Sequence, residues 1–227
     1  MELSYWEHKS WFSHVDFTVV GSGIVGINCA ISLKEKYPQS NILILEKGSL
    51  PQGASTKNAG FACFGSVSEI LSDLHHHTEE EVLQLVQKRW NGIQRLRNLL
   101  GDSAIDFQMN GGHELFPLDQ PDFYTKCLQA LPYLNNLLEP VFGQKPFKAT
   151  QNIFHFGNIQ EKYLTHQLEG QFDTGKMMRK KKKKCNALEI PILNGITVED
   201  IEELNHSALI RTRSEERRVG KECATGC

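Results

Sequence analysis

The chain has 227 residues, of which 40% are hydrophobic, 23% charged and 9% aromatic, with a formal net charge of -2 at pH 7. That composition is ordinary for a folded protein of one large or two small domains, and the charge balance gives no reason to expect nucleic acid or an acidic membrane surface as a partner. No apolar run approaches the roughly 20 residues that a membrane-spanning helix needs. The opening segment, Met1–Asp16, mixes acids, histidines and aromatics where a secretory leader would place a basic stretch and then an apolar one, so the expected compartment is the cytoplasm. Cys29, Cys63, Cys127, Cys185, Cys223 and Cys227 are scattered without a CxxC pair or zinc spacing, which predicts reduced thiols and no metal site. His75-His76-His77 is read as a solvated linker, because neighbouring helix positions point about 100° apart and converge poorly on one ion.

In chain order, Asp16–Val20 is a short β-branched run that predicts a buried strand. The turn Gly21-Ser22-Gly23-Ile24-Val25-Gly26 follows it, and a helix is expected to about Tyr37, with Val25, Cys29, Leu33 and Tyr37 as its apolar face and Pro38 as its stop. Ile42–Leu45 predicts a second buried strand ending at Glu46, completing a strand–helix–strand unit of the doubly wound α/β kind. A loop of small and polar residues is expected from Lys47 to Ser68. Thr78-Glu79-Glu80-Glu81 has the form of a capping box and predicts a long helix with Val82, Val86, Trp90, Ile93, Leu96 and Leu100 on one face, ended by Gly101. Ile105–Met109 and Glu114–Phe116 predict a hairpin across Asn110-Gly111-Gly112. Another helix follows Pro121, with Leu128, Leu131, Leu134 and Leu138 at three- and four-residue steps. This break in the βαβ rhythm predicts a second domain. From about Gly170 the rhythm resumes, with a helix from Thr174 to about Leu188 and extended runs at Ile190–Leu193 and Ile196–Val198.

The glycine turn carries the chemistry. A GxGxxG signature alone is weak, but here a strand precedes it, a helix and second strand follow, and an acid stands 20 residues beyond Gly26. Gly21 permits the tight turn, Gly23 lets the backbone approach a pyrophosphate, and Gly26 lets helix and strand pack closely. The phosphates would rest on the free N–H groups at the helix N-terminus, and Glu46 is placed to accept hydrogen bonds from the adenosine ribose, which argues against a 2′-phosphate. FAD and NAD share this ADP half, so the fingerprint alone leaves both open.

The next segment, Gly53-Ala54-Ser55-Thr56-Lys57-Asn58-Ala59-Gly60-Phe61, resembles the GAS-x-x-N-A-G segment of the D-amino-acid oxidase and glycine oxidase family of flavoenzymes. The resemblance implies FAD as cofactor, with the loop running beside its pyrophosphate and ribityl chain. The implied cofactor contacts are Gly21, Ser22, Gly23, Ile24, Val25, Gly26, Glu46, Lys47, Ser55, Thr56, Asn58, Ala59 and Gly60. Gly112-His113-Glu114-Leu115-Phe116 resembles the strand that opens the family's substrate domain. Glu169-Gly170-Gln171-Phe172-Asp173 resembles the return to the FAD domain, and Asn194–Val198 the strand whose valine, here Val198, meets the adenine through its backbone. The implied architecture is α/β: a Rossmann-like FAD-binding domain of the GR2/DAO type interrupted by an α+β substrate domain. Its expected parts are an N-terminal extension over 1–15, the FAD domain over 16–78 and 166–212, and the start of the substrate domain over 79–165.

The implied activity is oxidation of a small-molecule amine or amino acid by hydride transfer to flavin N5, giving an imine that hydrolyses; the protein orients substrate and excludes water. γ-Glutamylputrescine oxidoreductase-like and glycine or sarcosine oxidase-like activities are the nearest fits. A 2-hydroxy-acid dehydrogenase of the same family, a non-catalytic flavin- or nucleotide-binding subunit, and an inert product of gene prediction remain alternatives. No catalytic residue is assigned; Cys63 and His113 are the reactive groups near the expected flavin region, and each is read as packing or hydrogen-bonded structure.

Two features stand apart. Arg213–Cys223 matches, codon for codon, the translation of a common sequencing adapter, so 213–227 is read as non-native and the chain as an N-terminal fragment truncated near Arg211, expected to be insoluble or to fail to hold FAD by itself. The run Arg179–Lys184 leaves no apolar face where a helix should bury one, and is read either as a basic patch or as an error in an A-rich codon stretch.

Overall fold

The runs Phe17–Val20 and Ile42–Glu46 pair in parallel to organise the first part of the chain. The second is buried throughout, but the first, expected to be a buried strand, is only partly covered, with Val20 51% exposed. The computed structural model describes residues 4–205 and 207–214. A helical turn, α1 (Tyr5–Glu7), continues into a π-helical turn over His8–Phe12. Strand β1 (Phe17–Val20) leads into α2 (Ile24–Lys36) and β2 (Ile42–Glu46), whose five residues are all buried. The later elements are β3 (Phe61–Ala62), α3 (Val67–His76), α4 (Glu79–Leu100), α5 (Asp102–Ile105), β4 (Gly112–Glu114), α6 (Pro121–Phe142), β5 (Phe147–Gln151), β6 (Lys162–His166), β7 (Gly170–Gln171), α7 (Thr174–Ala187), β8 (Ile192–Asn194), β9 (Ile196–Leu204) and β10 (Ser207–Ser214).

The chain divides into two compact units, 1–58 with 178–227, and 59–177. The first holds the parallel sheet β1-β2-β8 and the antiparallel ribbon of β9 and β10. The ribbon reaches Ser214, and the rest of the segment expected to be non-native lies outside the described residues. Leu43, Leu45 and Ile196 form the core here, with Val198 and Leu193 packed against them.

Helix α2 buries Ile27, Ala30 and Ile31, not the expected stripe: Val25 is 83% exposed and Tyr37 41% exposed. The reason is Gly26. A Cβ at that position would stand 2.0 Å from the Gly21 carbonyl oxygen, so the helix settles with its glycine against the preceding turn. Val25 and Cys29 each lie one residue before Gly26, which packs on the turn, and the buried Ala30, about 100° off that face.

The second unit packs α3, α4 and α6 together, with α6 against β5 of the antiparallel sheet β4-β6-β5. Its core includes Phe64, Val67, Val86, Phe116, Leu134 and Leu164. The capping box at Thr78 and Glu81 is formed as expected. The stretch expected to be a linker is instead the end of α3: Ser66 caps the helix, its hydroxyl accepting Glu69 N–H while the Glu69 carboxylate accepts Ser66 N–H, so His75 and His76 are helical and exposed. The expected hairpin does not form. Ile105 ends the short helix α5, Asp106 takes a left-handed φ of 54°, Gln108 bridges Gln171, and β4 pairs with β6. The expected boundaries at 78/79 and 165/166 fall inside this unit, because α3 packs on α6 and because β6 lies between β4 and β5.

Helix α7 corrects the reading of the lysine run. Met177, Met178, Lys181 and Cys185 recur at helical spacing and are all at most 4% exposed. Lys181 thus occupies a position on the buried stripe, its stem covered and its ammonium donating to Asn28 Oδ1, while Arg179, Lys180 and Lys183 face solvent.

Candidate cofactor site

The turn between β1 and α2 is built by conformation first. Gly21 has φ 96°, a value costly for any residue with a Cβ. Gly21 N–H donates to Leu45 O at 2.7 Å, tying the turn to the end of β2. Ser22 is wholly buried, and its N–H and hydroxyl both donate to Glu46 Oε2 at 2.8 Å. Glu46 Oε1 accepts Gly48 N–H at 2.9 Å. Burial pushes the Glu46 carboxyl up, but the bonds from Gly48 and Ser22, with Lys47 beside it, outweigh that and hold it below the usual carboxylate range. The acid therefore anchors the glycine turn as well as facing the site, with lone pairs remaining for a ligand hydroxyl.

A cavity of about 470 Å³ opens here, lined by Val20, Gly21 and Gly23 from the turn, Leu45–Gly48 from the strand end, Pro51–Gly53 and Ser55 from the loop, and Ile196–Val198 from β9. Its size lies within the roughly 300–1,000 Å³ usual for small-molecule pockets. A Cβ at Gly23 would stand 3.1 Å from Ser55 Oγ, so glycine keeps this wall clear. At the helix entrance Ile24 N–H donates to Ser55 Oγ at 2.9 Å, a neutral oxygen standing where an anionic one would be favoured by the helix dipole. Backbone donors, a small-residue cradle and an acid at the strand end fit a dinucleotide's ADP moiety, and that chemistry is present in one cavity of the first unit.

Of the residues read from the sequence, Gly21, Gly23, Glu46, Lys47, Ser55 and Val198 line this cavity, with Ser22, Ile24 and Gly26 shaping it from behind. Val25 points away. Thr56 and Asn58 do not line it: the Thr56 hydroxyl donates to the Pro51 and Gly53 carbonyls, and Asn58 Nδ2 to the Ala54 carbonyl, so both brace the loop itself. Ala59 and Gly60 belong to the other unit, where Gly60 is packed so tightly on Phe172 that a Cβ would lie 2.2 Å from its carbonyl oxygen. Gly48, Pro51 and Gln52 were not foreseen; the Gly and Pro of a turn just past Glu46 were the available signal. In the second unit Cys63 is exposed, and His113 Nδ1 lies 3.0 Å from Thr165 Oγ1. Among the described residues no group of three or more His, Cys, Asp or Glu is arranged to hold a metal ion, and no helix is long and apolar enough to cross a membrane.

The parallel sheet, the glycine turn and the acid at the end of β2 define a dinucleotide-binding α/β protein with a second unit inserted in the chain. The chain belongs to the DAO family of FAD-dependent oxidoreductases, whose family model matches residues 16–224, and FAD is its cofactor. No curated protein matches the sequence. Among solved structures, the chain is similar to L-amino acid deaminase from Proteus vulgaris (20% identity, TM-score 0.60, covering 88% of this chain and 44% of that one). It is also similar to glycine oxidase from Bacillus cereus ATCC 14579 (17%, 0.59, 87% and 52%) and to L-amino acid deaminase from Proteus myxofaciens (16%, 0.62, 89% and 43%). These likenesses carry the fold, and the chain spans about half the length of these structures.

Proposed function

We propose that this chain supplies the adenosine and pyrophosphate end of the FAD site in an enzyme that oxidises a small amine or amino acid. The bound flavin would supply the redox chemistry, accepting a hydride from the carbon that bears the amine. The chain's own part is to hold the cofactor: N–H groups at the start of α2 toward the pyrophosphate, Ser55 beside them, Glu46 toward the ribose hydroxyls, and the Val198 backbone toward the adenine. The expectation of amine or amino-acid substrates rests on the GAS-x-x-N-A-G resemblance and on the activities of the similar structures, a deaminase of L-amino acids and an oxidase of glycine.

The observation that carries the reading is Glu46, an acid 7% exposed that ends a buried strand in the wall of the cavity, braces the glycine turn through Ser22 and Gly48, and keeps lone pairs for a ligand hydroxyl. Titration calorimetry of the purified chain tests it. ADP and FAD should both bind, FMN should not, and Glu46→Gln should weaken ADP about tenfold. Because the cavity holds only the adenosine end, flavin should be lost on gel filtration. Equal affinity for FMN and FAD would sink the proposal.

A further inference from the structure

We propose that the second unit selects the substrate, and that a cavity built around His113 and Glu169 takes a primary amine carrying an aryl or branched alkyl group and no carboxylate; this rests on the amine-oxidising reading above. Two hollows of about 430 and 250 Å³ share Gly112, His113 and Glu169 in their walls. The larger is apolar. Phe61 is 70% exposed, Phe154 52%, Phe156 46% and Leu115 40%, and four large apolar side chains left uncovered around one hollow mark a binding surface. The rings are held in place: Phe154 lies 5.6 Å from the His113 ring and 5.7 Å from Phe156.

The smaller hollow is acidic. Glu169 is 8% exposed, and Phe64 and Gly65 N–H groups both donate to its Oε1, at 2.7 and 3.4 Å. Its Oε2 lies against Gly112, where a Cβ would come within 1.9 Å of it, so only glycine there lets the second oxygen reach the shared wall. Glu114 adds a second carboxylate to this end. Among the described residues no lysine or arginine lines either hollow, although Arg89 acts on Cys63 and Lys148 on His113 from behind the walls. A ligand carboxylate would meet like charge, whereas an ammonium meets opposite charge beside aromatic faces. Burial pushes the Glu169 carboxyl up, and an ammonium beside it would favour its charged form. His113 stands between the two ends. Its Nδ1 lies 3.0 Å from Thr165 Oγ1, itself 2.8 Å from Thr150 Oγ1, and burial together with Lys148 pushes its pKa down, so the ring adds no cation to compete with the ammonium.

Binding of 2-phenylethylamine, L-phenylalanine and putrescine to the full chain, by titration calorimetry with ADP titrated into the same samples, tests this. The amine should bind, phenylalanine and putrescine at least tenfold more weakly, and Phe156→Ala should weaken the amine about tenfold. Glu169→Gln should abolish amine binding. Because that change also loosens the Phe64–Gly65 turn, the exposed Phe156 is the decisive position, with thermal melts to show that the fold is kept. Phenylalanine binding as tightly as the amine, or amine binding unchanged in Phe156→Ala, overturns the inference. Absence of amine binding with ADP binding intact overturns this inference alone; absence of ADP binding with amine binding intact overturns the cofactor reading and leaves this one standing.

Discussion

Single atoms decide much of this structure, and Gly26 is the clearest case. Its missing Cβ sets both the rotation of α2 and the closeness of the turn, so Gly26→Ala should destabilise the first unit by roughly 1–3 kcal/mol and weaken ADP, read by thermal melts and calorimetry. His166 is the second case. It is 2% exposed, its ring packed among Phe64, Phe142 and Phe147, and burial lowers its pKa from 6.5 to about 4. A histidine whose folded pKa is depressed stabilises the fold above its unfolded pKa, and that contribution is lost as the pH falls from about 6.5 toward 4. Acid melts should therefore show a loss on the order of 3 kcal/mol over that window, absent in His166→Phe. The cavity-wall positions Gly21, Gly23 and Glu46 were legible from GxGxxG and the acid beyond it, because each answers to a backbone or charge requirement. What Glu46 also does for Ser22 and Gly48 was not, since a carboxylate's partners depend on how the chain turns.

Elements were legible where the signal was local. The capping box at Thr78 fixed the start of α4, and the same signature at Ser66-x-x-Glu69 marked α3 but was masked by the polar loop before it. The α2 face was misread because two apolar stripes overlap in its sequence and only the contact at Gly26 chooses between them. The hairpin failed because β4 finds its partner about 50 residues away, His113 facing Thr165, a pairing that turn residues at Asn110–Gly112 cannot reveal. Helix α7 yields a prediction of its own: Lys181→Met, on a buried stripe between Met177 and Cys185, should stabilise the fold by roughly 1–2 kcal/mol and raise Tm by a few degrees. Lys180→Ala and Lys183→Ala, in solvent, should change little. A fall in stability for Lys181→Met would contradict the burial of that stripe.

On the scale of the molecule, each unit has its own core, and the proposed function divides accordingly: the first unit lines the cavity at the glycine turn and the second the hollow around His113. The fold class was readable because a βαβ unit announces itself within about 30 residues, whereas the antiparallel sheet of the second unit joins strands far apart in the chain. In the first unit β1 and β8 are the edges of the three-stranded sheet among the described residues, and their open backbone groups are free to pair further. The central claim is that the first unit binds ADP in one cavity, and amide-resolved NMR of the chain titrated with ADP tests it most directly. Shifts should concentrate at Gly21–Gly26, Lys47–Ser55 and Ile196–Val198, with the amides of the second unit's core unmoved. Shifts centred elsewhere, or none at millimolar ADP, would contradict it.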